Sequence, residues 1–278
     1  MPKRMTSPPR RLLGDELWAM VEPLIPPPPA ARGPGGRPRV PDRSVLEGIL
    51  FVLTTGCRWR DLPPELGCGS GVTCWRRLRD WENAAVWSRL HRLVLDRLGQ
   101  DWLIDWSRHC LDGVSVRAKK GGELVGPNPV DRGKPGSKYH LLVDAAGVPL
   151  AAQLSAANTH DSLLFEPLLD AAPSIKGRGR GRPRRRPHKL HADKGYDNQR
   201  CRRYLRRRGI TARIARGGIE SKERLGRYRW VVERTVSWIL RYKRLGLRYD
   251  RSELTMTALM NLACAYTCFK IAVRCEVL

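Results

Sequence analysis

The sequence predicts a chain in two parts: an all-α, helix-turn-helix-like segment over residues 1–100, then an α/β domain over residues 101–278. The second part is built on a mixed sheet, three antiparallel strands followed by parallel ones, with flanking helices. Three observations predict this. The first hundred residues carry apolar spacings of three and four and nothing strand-like. From about residue 101, short β-branched or alternating runs are separated by Gly-containing turns. Beyond residue 160, helical and strand patterns alternate.

In GDELWAMVEPLI, Leu17, Trp18, Val21, Leu24 and Ile25 fall at helical spacing, and Pro26 to Pro29 end the helix. ARGPGGRPRVP reads as a basic linker. Asp42 stands at the N-cap position of RSVLEGILFVLTT, and Gly56 at its stop. After WRDLPPELG, Ser70 caps GVTCWRRLRDW, and AAVWSRLHRLVLDRL makes a fourth amphipathic segment. Helix, short turn, helix, with Arg76, Arg77 and Arg79 on the second member, is the outline of a DNA-reading unit. It is equally the outline of a basic solvated face on an ordinary helical bundle.

HCLDGVSVRAK, KYHLLVDAAG and VPLAAQLSA form an antiparallel meander, and DSLLFEPLLDAA a helix with Asp161 as its cap. KGRGRGRPRRRPHK, with eight Lys or Arg among fourteen residues, is a loop that cannot build a core and is free to track phosphates. KLHAD is a short buried strand, NQRCRRYLRRRG a basic helix, TARIAR another strand and RLGRYRWVVERTVSWILRYKRL a long helix. MTALMNLACAYTCFKIAV, interrupted by Asn261 and Lys270, is a packing helix rather than a membrane span.

Lys and Arg number 52 against 27 Asp and Glu, a net charge of +25. Self-repulsion on that scale disfavours a compact chain, so a polyanionic partner is expected, and double-stranded DNA is the default. A membrane surface would call for a basic amphipathic helix with a broad apolar face, and none stands out, so no membrane partner is expected. The eight cysteines show no CxxC pair and no zinc spacing, and read as reduced, mostly core thiols. With no signal-peptide run in MPKRMTSPPRR, the expected location is bacterial cytoplasm, associated with the nucleoid.

Acids are scarce enough for their positions to inform. Asp112 lies in the first strand of the second part and Asp193 closes KLHAD. Glu233 lies inside the long helix, sharing a face with Arg229 and Ser237 at four-residue spacing. Three carboxylates on three elements suit a divalent-metal site for phosphoryl transfer, since hard Mg²⁺ or Mn²⁺ takes oxygen ligands and a pair of ions can serve both the attacking and the leaving oxygen. Each acid also has a local reading: Asp112 as a turn cap, Asp193 as the start of the Gly195 turn, Glu233 in a surface ion pair with Arg229 or Arg234.

The motifs GCRWRDLPPELG with TCWRRLRDW, LDGVSVRAKK, GSKYHLLVDAAGVPL, AANTHDS, HADKGYD and RYRWVVERTVSWILRYKRL cover nearly the whole chain. Together they resemble the insertion-sequence transposases of the DDE class, in the group named after insertion sequence five. The resemblance implies a ribonuclease-H-like catalytic domain with an aspartate on the first strand, another after the fourth, and a glutamate on a later helix. Asp112, Asp193 and Glu233 stand in those places, as the catalytic residues and the ligands of two Mg²⁺ (or Mn²⁺) ions. Asp105 in WLIDWS also ends an apolar run, and the match of LDGVSVRAK favours Asp112. The implied activity is binding of terminal inverted repeats by residues 1–100, then strand cleavage and transfer to target DNA by a homodimer. A catalytically inactive or domesticated DNA-binding regulator of the same descent is the alternative. Related transposases carry a tyrosine three residues before the arginine and a lysine seven after the glutamate. Here Gly226 and Leu240 stand there, and the basic role passes to Arg229 and Arg241, with Lys194 beside Asp193 as a further phosphate contact.

Overall fold

A computed structural model describes residues 12–28, 38–216 and 222–278, with the helical backbone alone for 222–227. The N-terminal tail and most of the predicted linker ARGPGGRPRVP lie outside the described residues. Four helices open the chain: α1 (Asp15–Val21), α2 (Asp42–Thr55), α3 (Gly71–Asn83) and α4 (Val86–Gln100). Gly56 ends α2 in the left-handed conformation, φ 72°, and Ser70 caps α3 by accepting from the Thr73 amide at 3.2 Å.

Asp42 is not the cap of α2. Pro41 takes that position without a side-chain bond, and the Asp42 carboxylate is drawn instead to the guanidiniums of Arg39 and Arg77. The predicted short turn is also placed differently. Pro63, Pro64 and two short 3₁₀ turns, Trp59–Asp61 and Pro64–Leu66, fill a long connection between α2 and α3, whereas only Ala84 and Ala85 separate α3 from α4. The arginines of α3 therefore sit on the first member of the tight helix pair. The long connection packs closely: a Cβ on Gly71 would lie 1.8 Å from the Trp59 carbonyl oxygen.

The strands are β1 (His109–Arg117), β2 (Gly126–Pro127), β3 (Pro135–Asp144), β4 (Pro149–Ala156), β5 (Lys189–Ala192) and β6 (Thr211–Ile214). β1, β3 and β4 pair antiparallel, and β1, β5 and β6 pair parallel, giving the order β4-β3-β1-β5-β6 with β2 beside the start of β3. This is the ribonuclease-H-like sheet. Around it lie α5 (Phe165–Ala171), α6 (Gln199–Arg207), α7 (Lys222–Leu240), the single turn α8 (Lys243–Gly246) and α9 (Glu253–Arg274). His160, not Asp161, caps the turn before α5: its ring Nδ1 accepts from the Ser162 amide at 3.3 Å.

One apolar cluster runs from Leu13 to Ala272 through both parts of the chain. Its spine is α9, which lies along α4, α3 and β4. By length and composition α9 is apolar enough to cross a membrane, but 72% of its most apolar stretch is buried inside the protein, as the packing reading expected. Asn261, one of its two polar interruptions, donates to Glu82 of α3 at 2.8 Å. Six of the eight cysteines are buried and all eight are free.

Buried titratable groups set the pH response. Burial holds His91 down to about 4 and His109 to about 3, while it pushes Asp144 up to about 6 against three backbone N–H donors. Between pH 4 and 6 the unfolded chain carries protons on both histidines that the fold lacks, so their contribution to stability grows as pH rises. Asp144 does the reverse, because the fold holds a proton that the unfolded chain has lost. In thermal melts over this window, His91→Gln is expected to flatten the rise of Tm with pH and Asp144→Asn to steepen it, by about one proton each.

Candidate active site

β1 is buried at His109–Leu111 and only partly covered from Asp112 to Ser115, so the sheet opens at Asp112. The parallel register pairs Cys110 of β1 with His191 of β5. Two residues further on, and therefore on the same face, stand Asp112 and Asp193. Neighbouring strands lie about 4.8 Å apart, so the fold sets these two carboxylates side by side. The Asp193 side chain accepts from the Gly195 amide at 2.9 Å and so starts the 3₁₀ turn Lys194–Tyr196. The local role and the site role are compatible, since that bond uses one lone pair of one oxygen.

Asp112 Oδ1 accepts from the Gly113 amide at 2.8 Å, and Oδ2 from the Arg229 guanidinium at 3.1 Å. Burial pushes its carboxyl above the usual range; Arg229 and the Gly113 amide pull it down, and the charge of Asp193 pushes it up again. The two acids thus act on each other. Tyr196, buried against Phe165, sits among the charges of Asp161, Asp112 and Asp193, which with burial hold its phenol well above its ordinary value. Its hydroxyl has no hydrogen-bond partner among the described residues.

Three further groups belong to this cluster: Lys138 and His140, which were not picked out from sequence, and Asp161, which was read there only as a helix cap. Lys138 Nζ meets Asp161 Oδ1 at 2.7 Å and donates to the Thr159 carbonyl at 2.9 Å. His140 pairs across the sheet with Gly113 and bonds Ser155 Oγ at 2.9 Å. A Cβ on Gly113 would lie 3.2 Å from His140 Nδ1 and 3.3 Å from Asp161 Oδ1, so glycine permits this close approach. The legible signal was the two-residue spacing of Lys138 and His140, which puts both on one face of β3.

α7 is anchored over the sheet at two points two turns apart. The Tyr228 carbonyl accepts from the Cys110 thiol at 3.4 Å, and Thr235 donates to the Gly147 carbonyl of the β3–β4 turn at 2.7 Å. Arg229 reaches Asp112 from there, but Glu233, one turn on, is exposed. The oxygen donors of Asp112 and Asp193 suit a hard divalent cation, and such an ion would relieve their mutual repulsion. Among the described residues, no three His, Cys, Asp or Glu side chains converge closely enough to hold one ion. Asp112 and Asp193 feel each other's charge, and Glu233 lies exposed one turn beyond the arginine that reaches Asp112.

Of the basic residues expected to meet phosphate, Arg76, Lys194 and Arg241 are exposed. Arg77 is committed to Asp42, with a side chain 12% exposed, and joins α3 to the start of α2. Arg79 lies over the Trp75 ring at 4.5 Å. The tract 176–189 is irregular and largely exposed, pinned by paired backbone bonds between Ile175 and Arg184 and by Arg184 stacked 5.0 Å over Trp106.

Two family models match the chain: "Putative transposase of IS4/5 family" over residues 13–91 and "Transposase DDE domain" over residues 107–268. An "Insertion element IS402 uncharacterized 16.2 kDa protein" of Burkholderia cepacia is 56% identical over 120 residues, covering 42% of this chain and 81% of the relative. A "Putative transposase for insertion sequence element IS402" of the same organism is 46% identical over 156 residues, 56% of this chain and 74% of the relative. Among solved structures, a Mos1 transposase paired-end complex with left transposon end aligns over 87% of this chain and 82% of its own, at 11% identity and a TM-score of 0.25. The DDE-domain match spans the whole sheet and all three expected acids, and with the IS4/5 match over the leading helices it makes this chain a DNA transposase of the IS4/5-type DDE family.

Proposed function

We propose that the chain cleaves DNA strands at the terminal inverted repeats of an insertion sequence and transfers them to target DNA, using Mg²⁺ or Mn²⁺. The observation that carries the reading is the pair Asp112, on β1 where the sheet opens, and Asp193, just past the end of the adjacent parallel strand β5, near enough for the charge of Asp193 to act on Asp112. These two would hold the ions, with Glu233 as the third ligand. When bound, the metal supplies activation of the attacking oxygen and stabilisation of the leaving one.

The remaining work belongs to the chain's own side chains. Arg229 neutralises Asp112 in the free protein, and it offers the same guanidinium to a phosphate that enters beside the acids. Exposed Lys194 places a second positive charge next to Asp193, and Arg241 a third beyond the end of α7. The leading helices, residues 1–100, grip the repeat, with Arg76 free for phosphate or base edges and Arg77 and Arg79 fixing the shape of α3. Hydrolysis of one phosphodiester leaves a 3′-hydroxyl and a 5′-phosphate. That hydroxyl then displaces the 3′ oxygen of a target phosphodiester, one P–O bond forming for each one broken. Two transposon ends must meet, so a homodimer on DNA completes the proposal.

The test uses the full chain and duplexes bearing the inverted repeats that flank its coding region. Binding is expected with EDTA or Mg²⁺, and nicking at the repeat ends only with Mg²⁺ or Mn²⁺. Repeat-specific binding with no nicking under either metal would return the reading to a DNA-binding regulator.

A further inference from the structure

Where α7 ends, it meets α9 and the C-terminal turn of α2 around a cavity of about 300 Å³. Arg241 from the end of α7 and Lys270 and Arg274 from one face of α9 line it, with the side chains of Thr54, Thr267 and Trp238. No carboxylate is among its lining residues. Lys270 Nζ lies over the Tyr242 ring at 4.6 Å and the Tyr266 ring at 4.9 Å. Burial, with the charges of Arg274 and Arg241 beside it, holds the Lys270 ammonium below the usual lysine range. All three cations are exposed, and their mutual repulsion, with no acid in the cavity, is relieved by a bound anion.

The size and chemistry suit a phosphate group: guanidinium and ammonium donors around a small space with an aromatic wall. The outer face of α7 says which kind. Arg234 lies between the rings of Trp230 and Trp238 at 4.7 Å from each, and Trp230 is 50% exposed. A basic and aromatic track thus runs along the helix toward the cavity, as for an extended polyanion rather than a free ion. From Arg229 to Arg241 is about 18 Å at 1.5 Å per residue, so the cavity and the acid pair cannot share a phosphate.

We propose that the cavity bounded by Arg241, Lys270, Arg274 and Thr54 is a second phosphate site, which takes a backbone phosphate of bound DNA. The proposal rests on the DNA reading above and adds Lys270 and Arg274 to it.

The test measures binding of the full chain to a labelled duplex in EDTA, across a range of NaCl concentrations, so that catalysis plays no part. For Lys270→Ala/Arg274→Ala the slope of log affinity against log salt is expected to fall by about one relative to wild type, the signature of one lost phosphate contact. Lys119→Ala/Lys120→Ala, which removes two exposed charges just after β1, is expected to leave the slope unchanged. Inorganic phosphate is expected to raise the Tm of the wild type but not of the Lys270→Ala/Arg274→Ala variant. Wild-type slope and affinity in that variant would overturn the site while leaving the DNA reading intact. An equal loss in the Lys119→Ala/Lys120→Ala control would also overturn it. Stabilisation by phosphate without any change in DNA binding would make the cavity a free-anion site and refute the DNA assignment. Absence of duplex binding by the wild type itself would defeat the proposed function and this site together. Should the alanine variant melt early, Lys270→Gln/Arg274→Gln repeats the comparison with the hydrogen-bonding bulk retained.

Discussion

Asp193→Asn is expected to cut Mg²⁺-dependent strand cleavage by on the order of 10³-fold or more, with folding and repeat binding close to wild type. Asparagine keeps an oxygen that can accept from the Gly195 amide, so the turn Lys194–Tyr196 survives. It removes the negative charge that acts on Asp112, and with it one anionic ligand for a hard cation. A thermal melt reports the fold, a gel shift in EDTA reports binding, and a nicking assay reports chemistry. Cleavage within a few fold of wild type would show that Asp193 does no more than begin a turn. Asp112→Asn makes a less clean comparison, because it also takes from Arg229 its carboxylate partner.

The pairing of Asp112 and Asp193 was legible because it depends on strand periodicity. An acid in the middle of one strand and an acid closing another fall on one face once the strands pair at Cys110 and His191. The sheet order was legible for the same reason: runs of period two, then short strands separated by helices, leave few topologies. Side-chain competition between distant segments was not legible. Asp42 has the chemistry of an N-cap, yet Arg77, 35 positions away, outbids the backbone for its carboxylate. Asp161 likewise leaves the cap to His160 and turns to Lys138 on β3. Arg229 and Asp112 are separated by 117 positions, and no local pattern joins them.

Glu233 shows how far periodicity can carry a site. Its spacing from Arg229 fixed which face of α7 it shares, but not that this face meets Asp112, which depends on the anchoring of Tyr228 to Cys110 and Thr235 to Gly147. With both anchors made, Val231, Val232, Thr235 and Ile239 are buried, Arg229 reaches Asp112, and Glu233 is exposed one turn further on.

The largest stability effect is expected at Asp250, which sequence reasoning passed over. Its carboxylate, 8% exposed, takes the Arg244 guanidinium through Nε at 2.7 Å and a second nitrogen at 3.0 Å, and it accepts from the Trp59 indole at 3.1 Å. Arg244, 5% exposed at the side chain, also donates to the Cys57 carbonyl at 3.1 Å. One buried acid therefore ties the α2–α3 connection to the chain between α7 and α9. Asp250→Ala leaves a buried guanidinium without its counter-ion and an indole N–H without an acceptor, at an expected cost of about 3–5 kcal/mol. Arg244→Met/Asp250→Leu, which removes both charges and refills the space, is expected to recover most of that loss. Urea denaturation of the two single variants and the double variant gives the coupling energy directly. If the pair acts as described, limited proteolysis of Asp250→Ala opens first within residues 56–70, where Trp59 and Cys57 have lost their anchor. A single-variant cost below about 1 kcal/mol would place this ion pair with the near-neutral surface pairs and remove it from the forces that hold the leading helices to the sheet domain.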